Sequence, residues 1–507
     1  MRRFLMLVVL ASLAACGDDD EPRLKASGVL VASPDLKTSA EIGHVQWESS
    51  EPGITPFIAF VHLAGERVSQ IRTITYVIEP KPDSVSKPAR VSYSIAALKA
   101  RGRLLSDNRL LLPVFGLYAG YENSVSIQLS FADCSTQTLD GALTTAAYTD
   151  PNGVYDHPQF LQSRAAGSGL GFDFFAMKSG LGTPVIVDTD GEIRWVGVSS
   201  ESSISSAFTD NGFVIGDALS TKVRRLEMDG TETTTMPAST YRRFHHNIDA
   251  GKTGLLVEMD TFTDRESTIA EFSPDRGFYK EWDFAKIVRD HMAGAGDDPS
   301  LFVRPGVDWF HTNATFYDER DDSLLVSSRE NFILNADYET GAIRWVLGDP
   351  TKYWATFPSL RAKALTLIGG GLYPIGQHSL SVTRDGLILT FNAGNASENQ
   401  PVGAPRGEQR TYSAVSAYRI DAAAMTATEV WHFDYGQTLY SDHCSSAYEA
   451  DDHSLLISFA RADNRLHARL VGLNSDREVV FDFQYESRGC GTAWNAVPIP
   501  LDNMSFD

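Results

Sequence analysis

Four short strings concentrate side chains able to move protons or hold anions: RRFHHNID (Arg242 to Asp249), DWFHTN (Asp308 to Asn313), LLVSSREN (Leu324 to Asn331) and GQHSLS (Gly376 to Ser381). Imidazole titrates near neutrality, so a histidine can pass a proton or attack an electrophile. An arginine offers a fixed fork of donors to an anion. Singly each string is weak, because a strand histidine is more often a hydrogen-bonded core residue than a catalyst. The spacing strengthens them. His246 stands nine residues before Leu255 and His378 nine before Leu387, while His311 and His443 precede the apolar runs at Leu324 and Leu455. The steps His246 to His311, His311 to His378 and His378 to His443 are 65, 67 and 65 residues. Four of the twelve histidines therefore occupy equivalent places in successive units. Equivalent places converge where units are arranged around an axis, and an apolar lining there would be more stable than a polar one. Clustered histidines also leave metal binding open as an alternative.

The elements that must carry these strings are strands. A hairpin unit recurs as IVDTDGEIRWVG from Ile186, VRRLEMDGTETT from Val223, IAEFSPDRGFYKEWDF from Ile269 and ILNADYETGAIRWVLG from Ile333. Two degenerate copies start at Tyr418 and Leu470. Each reads as strand, tight Asp/Gly-type turn and second strand. Six copies in roughly 350 residues give about 58 residues per unit, a repeat length within reach of propeller blades. The expectation is an all-β chain with a six-bladed β-propeller over residues 154–507. Upstream, Val125, Ile127, Leu129 and Phe131 alternate with polar residues as in a half-buried strand. Similar patterns around Ile71 to Ile78 and Val91 to Ala97 predict an immunoglobulin-like β-sandwich over 28–153, closed by the turn-rich TDPNG at Thr149 to Gly153. One interruption is helical: Asp283 can cap a helix through Phe284, Ile287, Val288 and Met292 that ends near Gly294, read as an insertion over one face of the propeller, with simple surface packing an equal alternative.

The chain has 507 residues, more than one core usually holds, and a net charge of −21 with pI about 5.0. That balance argues against nucleic acid or an anionic membrane surface as partner, so an anionic substrate needs local positive charge. Arg2 and Arg3, an apolar run from Phe4 to Leu13, and Leu13-Ala14-Ala15-Cys16 read as a lipoprotein signal over 1–16. Cys16 would carry the lipid, and residues 17–27 would form a polar tether. The expected location is the cell envelope, at the outer membrane facing the periplasm or the surface, with the lipid as the sole membrane contact. An oxidising compartment permits a disulfide. Cys444 and Cys490 both lie in the last repeats and are the favoured pair, which leaves Cys134 as a buried thiol.

In this order the four strings resemble the bacterial aryl-sulfate sulfotransferases that work without a nucleotide donor, a family with an N-terminal β-sandwich and a six-bladed propeller. The segment Pro113 to Leu129, PVFGLYAGYENSVSIQL, is similar to that sandwich. The resemblance implies that His311 and Asn313, Arg329 and His378 supply the active site, with a further histidine from the pair His245-His246. His246 is preferred because its spacing repeats that of His378. The departure lies at the C-terminus, in DHCSSAYE and CGTAWNAVPIP from Asp442 and Cys490. Sulfuryl transfer needs a nucleophile, donors around three oxygens and a proton for the leaving phenolate. The implied roles are His378 as nucleophile forming a sulfohistidine, Arg329 and Asn313 as donors, and His246 and His311 for oxygen binding and proton transfer. His245 and His443 are expected at the substrate. The implied substrates are a small aryl sulfate and a phenol, with no cofactor and no metal. The oligomeric state stays open, a homodimer included. A non-catalytic propeller lipoprotein that binds a ligand or partner is the runner-up. A metal-assisted sulfate hydrolase is weaker, and neither a Cys-x-Pro-x-Arg string nor a P-loop is present.

Overall fold

Short strands with alternating or continuous apolar residues, separated by Asp/Gly turns, can bury their faces only by stacking sheets. The computed structural model describes residues 44–507; the signal, Cys16, the tether and the first part of the expected sandwich lie outside them. Among the described residues no helix is long and apolar enough to cross a membrane.

Among the described residues six sheets follow one another from Phe174 onward, antiparallel except where Thr366–Leu367 pairs in parallel with Thr426–Phe433 at the edge of the fifth. Each expected hairpin forms the last two strands of its own sheet; Ile333–Asp337 with Ile343–Leu347 is one example. The inner strands are β1 (Ser206–Thr209), β2 (Arg243–Ala250), β3 (Thr312–Asp318), β4 (Gln377–Val382), β5 (Ser446–Glu449) and β6 (Ala496–Ile499). Each touches its successor from β1 to β6. Strand β6 is borrowed from the end of the chain: it pairs with Phe174–Met177 and completes the first sheet. Gln159–Gln162 in turn pairs with Val479–Glu486 of the last sheet. Two sheets are thus each closed by a strand from the other end of the sequence, which leaves fewer open edges.

The N-terminal residues form a three-stranded and a five-stranded sheet around a shared core that includes Val61, Leu63, Ile74, Leu112, Ile127 and Leu129. Strand Glu122–Phe131 shows the expected alternation of burial. One part of the chain departs from the expected boundary. Met504–Phe506, read as part of the larger unit, pairs in parallel with Ala89–Ser94 and adds a strand to the N-terminal sheet. Phe506 stacks on Tyr93 at 4.5 Å, so burial of an aromatic pair outweighs sequence order.

The helix spans Phe284–Gly294, and the Asp283 carboxylate accepts from the Lys286 amide at 3.0 Å. Phe284, Ala285, Val288 and Met292 are buried, and Phe284 stacks on Phe310 with centroids 5.6 Å apart. The helix therefore backs the segment that delivers His311.

Cys444 and Cys490 form the expected disulfide, with Cα atoms 6.1 Å apart. Cys134 does not fit its expectation. It is exposed, in a turn with φ +62°, and no described cysteine is a free thiol.

Candidate active site

A regular strand would point alternate side chains to opposite faces, so a bulge is needed to turn consecutive polar groups to one side. The pairing of β2 slips between Phe244 and Ile248, that of β3 between Thr312 and Ala314, and that of β4 between His378 and Ser381. His246, His311 and Ser379 have φ of +46°, +55° and +55°. Non-glycine residues in this region are costly and cluster where surrounding structure enforces them. Three sheets thereby present histidines to one place.

The ring centroids of His246 and His311 lie 4.6 Å apart, and those of His246 and His378 5.9 Å apart. His245 touches this group through His246 alone among the rings, its Nδ1 2.9 Å from that of His246. Arg329 joins at the end of the strand after β3, and its backbone amide donates to the His311 carbonyl at 3.1 Å. Its Nη2 reaches Glu330 Oε1 at 3.0 Å and Glu398 Oε2 at 3.3 Å, while its buried Nε has no partner. His443 is partly exposed: its Nε2 sits 3.1 Å from Glu398 Oε1 and its Nδ1 3.3 Å from Asp442 Oδ2. Asn313 is fully buried and donates to the Gln377 carbonyl at 2.8 Å, tying β3 to β4. His246, His311, Arg329 and His378 are thus brought together. His245 and His443 flank them, and Asn313 braces the strand beside them.

The protonation states differ sharply across this small space. His378 Nδ1 faces the Ser445 carbonyl at 2.9 Å, so it carries the proton and donates it. Nε2 then holds the free electron pair, buried with no partner. Burial, with His311, Arg329 and His443 nearby, takes His378 down to about 3 although the Ser445 hydrogen bond opposes the shift. His246 is also pushed well below its ordinary value, first by burial, and is neutral. His311 goes the other way. Burial and Arg329 push it down, but Glu266 and Asp308 outweigh them and raise it to about 9. Its Nδ1 lies 2.6 Å from Asp308 Oδ2 and 2.7 Å from Glu266 Oε2. With Nδ1 engaged, Nε2–H is left for a ligand. The neighbouring carboxylates, Asp442 first and then Glu398, raise His443.

Several residues of the site were not singled out from the sequence. Glu266 sits on the loop after Leu255–Asp260, outside every string. Trp494 places its ring 5.2 Å from His246 and 5.3 Å from His378; the CGTAWN string that contains it had marked a departure from the family pattern. Glu398 meets Arg329 and His443 from a segment outside the four strings, and Asp308, though it opens the DWFHTN string, had been given no role. For cations, the ligating atoms of His246, Glu266 and His311, and those of His245, His246 and Glu258, lie within 4.8 Å of one another. A cation at the first group would have to displace the His311 proton from Asp308. A separate cavity of about 690 Å³, lined by Thr209, Arg225, Thr253 and Phe272 among others, lies between the second and third sheets and holds none of these residues.

Comparison with known proteins agrees with the strings. Residues 161–494 match the family described as Arylsulfotransferase (ASST). Over 289 residues the chain is 25% identical to "Arylsulfate sulfotransferase AssT" of Escherichia coli O6:H1, covering 50% of this chain and 44% of that protein. Over 230 residues it is 22% identical to "Arylsulfate sulfotransferase AssT" of Lelliottia amnigena, covering 36% and 37%. The chain thus spans less than half the length of the curated relatives it matches. Among solved structures, a Bacteroides thetaiotaomicron protein of unknown function aligns over 94% of this chain and 95% of its own, at 11% identity and TM-score 0.32. The Cps50 (Swd1) β-propeller domain of Myceliophteria thermophila aligns over 68% and 90%, at 15% identity and TM-score 0.33. With the matched segment running through five of the six inner strands and every histidine of the cluster, the chain belongs to the arylsulfotransferase family.

Proposed function

We propose that this protein is an aryl-sulfate sulfotransferase that moves a sulfuryl group from a phenolic sulfate ester to a phenol, through a sulfohistidine and without a nucleotide donor. The observation that carries the reading is His378: a neutral imidazole whose Nδ1–H is anchored on the Ser445 carbonyl and whose Nε2 electron pair is buried without a partner. In the first half-reaction Nε2 attacks sulfur, the bond from sulfur to the aryl oxygen breaks, and the leaving phenolate takes the proton from His311 Nε2. In the second, the acceptor phenol returns a proton to His311, its oxygen attacks sulfur, and the sulfur–nitrogen bond breaks. His246 Nε2 and Arg329 supply donors to the sulfuryl oxygens. Trp494 offers an aromatic face to the aryl ring. Asn313 is assigned to aligning β3 and β4, because one of its amide protons is engaged by the Gln377 carbonyl. His443 and Glu398 stand at the substrate side.

We further propose that the six sheets are the blades of a six-bladed propeller that starts at 154 and ends before Met504–Phe506, and that the two N-terminal sheets are an immunoglobulin-like sandwich over 28–153 joined by that C-terminal strand. The same reading takes Cys16 as a lipidated N-terminus that holds the protein at the cell envelope. The test of activity is direct. Purified protein mixed with 4-nitrophenyl sulfate should release 4-nitrophenol, and added phenol should accelerate release while phenyl sulfate accumulates. A non-catalytic ligand-binding lipoprotein would release nothing beyond the buffer control, and that result would overturn the enzyme reading.

A further inference from the structure

Among the described residues, Glu266 is the carboxylate that lies between His246 and His311 and belongs to none of the four strings. It is about 9% exposed, and its φ is +48°. Its backbone fixes it from both sides: the amide donates to Asp260 Oδ1 at 3.0 Å, and the carbonyl accepts from the Thr312 amide at 2.8 Å. The third sheet is thereby clamped to the start of β3, immediately after His311. Its Oε2 lies 2.7 Å from His311 Nδ1 and 3.7 Å from His246 Nδ1. The His311 proton is aligned with Asp308, so Glu266 Oε2 lies off that line and remains without a hydrogen bond. A buried carboxylate in that state acts through its charge.

We infer that Glu266 is a positioning residue of the transfer reaction: its carboxylate, set between the Nδ1 atoms of His246 and His311, fixes which of the two imidazoles gives its proton to the leaving phenolate. The inference rests on the sulfotransferase reading and extends it. The two rings are chemically alike and both are buried, so without an asymmetric charge either could hold the proton. Closer approach of Glu266 and Asp308 selects His311, and His246 then stays neutral beside an imidazolium. The groups facing His311 are Asp308 from its own segment, Glu266, His245 and His246 from the third sheet, Arg329 from the next strand and His378 from β4. The cations and histidines among them oppose the proton, so the two carboxylates must outweigh them. His311 remains the catalytic acid, and Glu266 acts through it.

The test uses the full chain and two substitutions, Glu266→Gln and Glu266→Asp. Imidazole NMR titration of His311 in the substrate-free protein should show its midpoint lower by at least about one pH unit in E266Q, a tenfold change in proton affinity, and restored in large part in E266D. In turnover, the alkaline limb of kcat/KM for phenyl sulfate should move down by the same interval in E266Q. For 4-nitrophenyl sulfate, whose phenolate leaves without a proton, the rate should change less than threefold. An unmoved His311 midpoint in E266Q overturns the inference. So does failure of both variants to fold, which would make Glu266 a structural clamp only. If the wild-type protein turns over no aryl sulfate while the His311 midpoint still moves, the sulfotransferase reading fails and the charge coupling stands.

Discussion

At the scale of single residues the site is a set of unlike imidazoles, and pH should resolve them. His378 falls from 6.5 in a free peptide to about 3 in the fold, through burial first. The unfolded chain therefore binds the extra proton more readily. The stability linked to this residue is full above pH 6.5 and is lost as pH falls toward about 3. His311, raised to about 9 against burial by Glu266 and Asp308, has the opposite sign: its contribution is full below pH 6.5 and is lost as pH rises through about 9. Melting temperature followed across pH should fall less steeply on the acid side in His378→Asn, and less steeply on the alkaline side in His311→Asn. Parallel curves for both variants and wild type would contradict these environments. The covalent step has its own test. Donor alone should leave a stoichiometric, acid-labile sulfuryl adduct on His378 at Nε2, because Nδ1 is occupied by Ser445. His378→Ala should abolish adduct and transfer together. Arg329→Lys should cost about 2–4 kcal/mol of transition-state stabilisation, since a point charge replaces a fork. Transfer at an undiminished rate without His378 would rule out the scheme, and His443 would be the next nucleophile to examine. Sequence spacing found His246, His311 and His378, whose rings face one another, because each repeats its unit's register. It missed Glu266, which recurs in no other unit and reaches its partner from a loop.

At the scale of elements, the disulfide and the strand bulges set the angles of the reacting groups. Cys444 precedes Ser445, whose carbonyl fixes the His378 ring, and the Ser445 amide donates to the Trp494 carbonyl at 3.1 Å. Cys490 closes the same loop from the other side. Replacing Cys444 and Cys490 together by Ser should lower stability by roughly 2–4 kcal/mol. It should also reduce kcat for the first half-reaction more than it raises KM, because the attacking nitrogen loses its orientation while the donors to the sulfuryl group stay in place. A variant that loses stability yet keeps wild-type kcat would separate the disulfide from the chemistry. The hairpins, the capped helix and this pairing were legible because each depends on local chemistry: Asp/Gly turns, an Asp at the helix start, cysteines in the last repeats. The bulges at β2, β3 and β4 were not. A bulge is an extra residue relative to a partner strand, and the partner's register appears only when the strands pair. For the same reason the environment of Cys134 was misread: a short polar turn places it at the surface.

At the scale of the whole molecule, the order of the chain and the order of the sheets part company at the C-terminus. The repeats predicted where six hairpins would lie, but nothing periodic marks Ala496–Ile499 or Met504–Phe506 as strands of sheets that begin more than three hundred residues earlier. Long-range pairing is set by which edge remains open once the rest has folded, and a local pattern carries no record of that. The consequence can be tested by truncation. A chain ending after Trp494 retains every histidine of the site, Arg329 and both disulfide cysteines, yet loses the inner strand of the first sheet and the parallel strand on Ala89–Ser94. It also loses the buried side chains of Ile499, Leu501, Met504 and Phe506. Fully burying apolar side chains of this size contributes about 1.5–3 kcal/mol each, comparable in sum to the whole stability of a typical domain. The truncated chain should therefore aggregate or melt at far lower temperature, and its inactivity should accompany loss of near-ultraviolet circular dichroism. A chain ending after Ile499 keeps β6 and gives up only the later contacts, so it should fold with reduced stability and retain transfer activity at low temperature. Equal stability of the two truncations would show that closure by β6 does not hold the six sheets together, and the site would then owe its geometry to each sheet alone.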